Sequence, residues 1–222
     1  MTTAGPGKDW LEWHSSYDRP GSSLAVRLSL VQGHLRTVLE AAPPGEIRLV
    51  SMCAGQGRDV IGALTRNRRR ADVRARLVEL DERNAGLARE LADGADLPQV
   101  EVVTGDASVS DAYVGAAPAH IVLVCGVFGN ISNDDIRRTI SLVPMLCESG
   151  ATVLWTRHRR EPDLTPQVRS WFAECGYEEL ARDEPPDLPY IGVGAHRWPG
   201  ERGVVEEGVG FFRFVDDPRP AP

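Results

Sequence analysis

The chain has 222 residues, 42% of them hydrophobic, which is enough for one α/β domain with a full core, so no second domain is needed to account for its length. Its formal charge of −7 opposes the broad attraction to a phosphate backbone that supplies most nucleic-acid affinity, so no nucleic-acid partner is expected. No run of about 18 apolar residues occurs, and Lys8 and Asp9 precede any apolar stretch, so neither a membrane span nor a secretory signal is expected and a cytoplasmic location follows.

Residues 1–44 read as an N-terminal extension. Trp10, Trp13, His14 and Tyr17 make its first part aromatic for so polar a region, and Leu24, Leu28, Val31, Leu35 and Leu39 then recur at spacings of three and four, the stripe of an amphipathic helix. From residue 45 to 217 short apolar runs alternate with helical ones, the pattern of βαβ units on a mainly parallel sheet. Ile47 to Met52 is the first predicted strand, and Asp59 to about Asn67 is a helix burying Val60, Ile61 and Leu64. Arg76 to Leu80 is the second strand. Glu82 to about Ala92 is a helix with Leu87 and Leu91 one turn apart, Val100 to Thr104 the third strand, and Ile121 to Cys125 the fourth. Ser132 with Asp135 starts a helix carrying Ile136, Ile140 and Val143, and Thr152 to Thr156 is strand five. Thr165-Pro166 opens a helix with Val168, Trp171 and Phe172 on its apolar face, closed by Gly176. Tyr177 to Ala181, Ile191 to Trp198 and Gly210 to Val215 read as strands of an antiparallel edge, and residues 218–222 as a disordered tail.

The cysteines, Cys53, Cys125, Cys147 and Cys175, lack C-x-x-C spacing and read as reduced, buried thiols. Arg66, Arg68, Arg69, Arg70, Arg74 and Arg76 cluster where the first core helix should end, a position the helix dipole favours for cations.

The segment richest in chemical information is Leu49-Val50-Ser51-Met52-Cys53-Ala54-Gly55-Gln56-Gly57-Arg58-Asp59, a strand running into a G-x-G turn that opens a helix. Glycines there let a ligand approach the backbone, and the helix start offers free N–H groups. Strand two ends in Leu77-Val78-Glu79-Leu80-Asp81, with Glu79 placed to accept both hydroxyls of a ribose. Strand three ends in Thr104-Gly105-Asp106-Ala107, with Asp106 suited to accept from an adenine amino group.

On these residues the chain resembles class I S-adenosylmethionine-dependent methyltransferases over roughly residues 45 to 182. The resemblance implies a Rossmann-like seven-stranded sheet with helices on both faces and S-adenosyl-L-methionine as cofactor. It assigns the methionine moiety to Gly55 and Gly57, the ribose to Glu79, and the adenine to Asp106 with the backbone of Ala107, and it places Leu80 in the cofactor-binding set. Cys125-Gly126-Val127-Phe128-Gly129-Asn130-Ile131 resembles the family's segment between cofactor and acceptor, so Cys125 and Gly126 join the cofactor set and Phe128 and Asn130 face the acceptor. The extension would then form a lid, with Tyr17 and Arg27 toward the cleft; alternatively Trp10, Trp13 and Tyr17 only anchor it. Two departures stand out. Ser51 replaces the acid usual in the first motif and Cys53 the first glycine, although both remain, with Ala54, at cofactor positions. No N-P-P-Y or D-P-P-Y tetrapeptide occurs, which turns the expectation away from bases and protein amides toward a small-molecule acceptor.

Methyl transfer is an in-line displacement needing alignment, exclusion of water and, for a protonated acceptor, a general base, but no metal. His158 just past strand five and His14 in the extension are the candidate bases, with His196 a weaker third. A nicotinamide oxidoreductase is the main rival, but Val60 stands where the third glycine of G-x-G-x-x-G belongs. A non-catalytic S-adenosylmethionine-binding protein is the other.

Overall fold

The structure, a computed structural model, describes residues 15–19, 21–188 and 190–215. His14, Trp10, Trp13 and the tail from Pro218 lie outside the described residues. Seven strands form one sheet: β1 (Ile47–Met52), β2 (Val73–Glu79), β3 (Val100–Thr104), β4 (Ala119–Val124), β5 (Cys147–Arg157), β6 (Glu178–Asp183) and β7 (Gly192–Arg197). Their order is β3-β2-β1-β4-β5-β7-β6, with β7 antiparallel to both its neighbours and every other pairing parallel.

Parallel strands must be covered on both faces, and β1 shows how the sequence achieves this. Val50 and Met52 enter one apolar cluster with Val124, Trp155 and the helices α4 (Asn133–Leu142) and α5 (Thr165–Glu174). Ile47 and Leu49 enter the opposite cluster with α1 (Ser23–Ala41), α2 (Arg58–Leu64) and α3 (Glu82–Gly94). In α1, Ser22 caps the N-terminus by accepting the Ala25 N–H, and Val31, Leu35 and Leu39 are buried against the sheet. The extension thus shares its core with β1 and β2; residue 44 divides the sequence, not the packing. No helix among the described residues is long and apolar enough to cross a membrane.

Three readings need correction. The leucines chosen for α3 are on its outside: Leu87 and Leu91 are 40% and 42% exposed, while Asn84, Ala85, Ala88 and Ala92 are buried. Small residues win there because α3 packs against the glycine turn, where a Cβ on Gly57 would already lie 3.5 Å from the Ala88 Cβ. Gly210 to Val215 is not a strand of the sheet; it makes two isolated bridges, Gly210 with Val109 and Phe214 with Ile131. The basic cluster does not cap α2, which ends at Leu64. Arg69 instead donates to the carbonyls of Ala42, Pro43 and Gly45 just past α1, and Arg70 to those of Ala95 and Asp96 past α3.

Candidate functional site

The carboxyl ends of β1 to β4 lie along one edge of the sheet, and strand order reverses between β1 and β4, the place where open α/β sheets bind ligands. After β1 the chain passes Cys53 at φ 50°, Gly55 at 56° and Gly57 at 66°, three left-handed residues in five. Gly57 admits no side chain, since a Cβ would come within 2.7 Å of Leu77 Cδ2 and 2.9 Å of Ile61 Cδ1. Cys53 adopts the same region without being glycine.

Glu79, at the end of β2, is built into this turn. Its Oε2 accepts the Gly55 N–H at 2.8 Å and its Oε1 the Asp81 N–H at 2.9 Å, which fixes both oxygens and leaves each a lone pair for a further donor. Burial raises its carboxyl above the usual range, against the lowering effect of those N–H groups. Asp106, past β3, is fixed through Oδ1, which accepts the Ser108 N–H at 2.9 Å and Ser108 Oγ–H at 2.7 Å. The Cys53 thiol lies close enough to both acids that, after burial, Glu79 and Asp106 are what raise its pKa well above the ordinary value. One floor therefore carries the turn and both carboxylates. Leu80 is 64% exposed beside it, an apolar surface at its rim.

The extension packs beside the turn, against the start of α2. Arg27 Nη2 donates to Tyr17 Oη at 2.5 Å, and the Arg27 and Arg58 guanidinium carbons each lie 5.8 Å from the Tyr17 ring centre. Arg58, the first residue of α2, grips Asp18 through Nη1 at 2.6 Å and Nη2 at 3.3 Å. Asp59, in the first turn of α2, is raised by burial and lowered by the N–H of Val60 and the charge of Arg27. Tyr17, Arg27, Asp59 and Cys125 thus form one group, for the Cys125 thiol is raised by burial first and by Asp59 next. Asp59 was missed in the sequence although it sits two residues past Gly57.

The loop after β4 is held from inside. Gly126 donates its N–H to Thr156 Oγ1 at 2.8 Å, and its carbonyl accepts the Asn130 Nδ2–H at 2.7 Å, so Asn130 serves the loop itself. Phe128 is a correction: it is 0% exposed, with ring centres 6.0 Å from Trp155 and 6.4 Å from Phe172, and belongs to the core instead of an acceptor wall. His196 is another. It is 2% exposed on β7, accepts the Trp155 Nε1–H on Nδ1 at 3.1 Å, stacks 4.3 Å from Phe172, and burial lowers its pKa to about 4. A neutral, shielded imidazole of this kind is structural. His158 is exposed, its ring lying against Gly129, where a Cβ would meet Cδ2 at 3.2 Å. Ser51 and Ala107 are buried at 1% and 4%; among the described residues the Ser51 hydroxyl has no hydrogen-bond partner, and Ala107 offers its carbonyl to Tyr113 Oη–H at 2.7 Å.

Two supports were not read as such from the sequence. Tyr113 is fully buried beneath the loop after β3, and the segment from Phe211 to Val215 straps the loops after β3 and β4: Phe211 N–H donates to Ser108 O at 2.8 Å and Val215 N–H to Asn130 O at 3.0 Å.

No protein-family model and no curated protein sequence matches the chain. Solved structures do. The CurJ carbon methyltransferase superposes with a TM-score of 0.68 at 15% identity over 86% of this chain, which spans 58% of that one. The fold is that of the S-adenosylmethionine-dependent methyltransferases. Magnesium protoporphyrin IX methyltransferase of Synechocystis PCC 6803, solved with bound SAM, gives 0.63 at 11% identity over 88% of this chain and 99% of its own. The 1,6-didemethyltoxoflavin-N1-methyltransferase of Burkholderia thailandensis, solved with its substrate and S-adenosylhomocysteine, gives 0.62 at 15% identity over 86% and 87%. In this chain the fold places carboxylates, which are hydrogen-bond acceptors, at the end of β2 and just past β3.

Proposed function

We propose that the protein binds S-adenosyl-L-methionine over the ends of β1 to β4 and transfers its methyl group to a small-molecule acceptor. The observation that carries this reading is Glu79, whose two oxygens are locked by the N–H groups of Gly55 and Asp81. Glycine turn and ribose acceptor are thereby one rigid unit, ready before ligand arrives. When bound, the cofactor supplies a methyl group on a positively charged sulfur.

The chain's own residues hold and shield. Glu79 accepts the ribose hydroxyls, Leu80 offers an apolar face to the adenine and Asp106 accepts from its amino group. Gly55, Gly57 and the Cys53–Ala54 backbone admit the methionine moiety closely, and Arg27, held by Tyr17, brings a cation toward its carboxylate. The Ser15–Asp18 turn, latched by Arg58, excludes water from that side. His158 is the candidate among the described residues for accepting a proton from the acceptor. The strand order argues against a nicotinamide enzyme, for β7 runs antiparallel between β5 and β6, unlike the 3-2-1-4-5-6 order of dinucleotide folds.

Titration calorimetry with S-adenosylmethionine, S-adenosylhomocysteine and NADH, each alone, tests the reading. Micromolar binding of the first two and none of the third is expected. Failure of both sulfur nucleosides to bind would overturn it.

A further inference from the structure

β5 runs out in Thr156-Arg157-His158-Arg159-Arg160, a basic string in a chain of net charge −7. Its arginines are not equivalent. Arg159 Nε lies 3.0 Å from Asp163 Oδ2 and its Nη2 3.9 Å from Glu184 Oε2, so its charge is met. Arg160 is exposed, 5.5 Å over the Tyr190 ring. Arg157 is half-buried, and among the described residues no carboxylate comes within ion-pair distance of it. Its Nη1 donates to the Phe128 carbonyl, while its Nε–H is shielded from solvent with no acceptor. Burial lowers its pKa and the distant Asp163 only partly offsets this, yet a guanidinium stays charged at any ordinary pH.

A shielded donor without an acceptor in a native structure calls for a missing partner. The Phe128 carbonyl belongs to the loop after β4, and the His158 ring packs on the next residue, Gly129, so Arg157 stands across β4 from the glycine turn, at the acceptor end of the cleft. The Nη2 end of the guanidinium offers N–H groups to a carboxylate, and a carboxylate that uncovers Nε on entering gains the second of two parallel N–H···O bonds. We propose, resting on the methyltransferase reading above, that the methyl acceptor is a carboxylic acid whose carboxylate is received by Arg157. Arg157 is then a specificity-determining residue, and the neighbouring cation Arg160 reinforces the preference for an anion.

The test uses the full chain saturated with S-adenosylhomocysteine, titrated calorimetrically with matched acid and amide pairs: 4-hydroxybenzoate and 4-hydroxybenzamide, indole-3-acetate and indole-3-acetamide, hexanoate and hexanamide. At least one acid should bind about tenfold or more tighter than its amide, the ratio a charge-assisted hydrogen bond gives. Arg157→Gln should bring that ratio near one while S-adenosylhomocysteine affinity stays within about twofold. Arg157→Lys, which keeps the charge but not the fork, should retain a reduced preference and serves if the glutamine variant does not fold. Acids and amides binding alike in every pair, or a preference undiminished in both variants, would overturn the proposal. Absence of S-adenosylhomocysteine binding to the unaltered protein would instead remove the methyltransferase reading on which it rests.

Discussion

Replacing Glu79 by glutamine separates the two tasks assigned to this side chain. Glutamine keeps the shape but offers one acceptor oxygen and one NH2 where the carboxylate offers two acceptors. It can therefore satisfy the Gly55 N–H or the Asp81 N–H, not both. The orphaned N–H in this part-buried turn costs about 1–3 kcal/mol of stability, roughly 3 to 10 °C in Tm for a chain of this size. Ligand affinity falls separately, because a charge-assisted bond to a ribose hydroxyl is worth about 1.5–3 kcal/mol, or roughly 10- to 150-fold in Kd. Calorimetry with S-adenosylhomocysteine, run beside thermal unfolding of the free protein, reads both. Acid titration adds a check of sign. Burial raises the Glu79 pKa, so the unliganded fold gains stability from this group as pH falls toward it, whereas binding, which needs the carboxylate, is lost at a higher pH than an ordinary glutamate would dictate. The glutamine variant should lack that acid limb. Affinity within about twofold of the unaltered protein would refute the ribose assignment, whatever happened to Tm.

Phe128→Ala should cost about 3–5 kcal/mol in urea unfolding, as for a fully buried aromatic; a loss below about 1 kcal/mol would return Phe128 to the acceptor wall. His196 has a folded pKa of about 4 against about 6.5 unfolded, so the unfolded chain takes up a proton first and stability should fall by about 2 kcal/mol between pH 7 and pH 5. His196→Phe should flatten that slope while lowering stability at pH 7, since Trp155 Nε1–H loses its acceptor; an unchanged slope would mean another group is responsible. Gly57→Ala combines left-handed strain of about 1–2 kcal/mol with overpacking against Leu77 and Ile61 of about 1–3 kcal/mol. Gly33→Ala, in α1 with nothing within 4 Å, should instead stabilise by about 0.5–1 kcal/mol, and equal effects at both glycines would contradict the steric account.

The parts of the fold that could be read from the sequence are those decided locally. β1 and β3 run over Ile47–Met52 and Val100–Thr104 as expected, because each is an apolar run bounded by turn residues, and Ser132 does cap its helix, accepting the Asp135 N–H at 3.1 Å. Glu79 and Asp106 could be placed at the carboxyl edge of the sheet because the ends of β2 and β3 are legible from the chain, whatever packs beneath them. Leu87 and Leu91 misled because hydrophobicity ranks leucine above alanine, while the distance between α3 and the glycine turn, a tertiary quantity, admits only small side chains. Phe128 misled for a related reason. Its place in the loop after β4 said that it was near the cleft, but only Trp155 and Phe172, from β5 and α5, turn its ring inward.

The same division runs through the charged residues. That Arg157 to Arg160 are basic is plain from the chain, and so is their place at the end of a strand. Which of them lacks a carboxylate partner among the described residues depends on how Asp163, Glu184, Tyr190 and the Phe128 carbonyl are brought in by three loops and by the strand pairing of β5 with β7. Tyr17 and Arg27 behave alike: their spacing of ten residues suggests nothing, yet the turn at Ser15–Asp18 folds back on α1 and Arg58 fastens it there. Charge is a property of the residue, whereas the absence of a compensating charge is a property of the fold, and it is the uncompensated cation that speaks to a ligand.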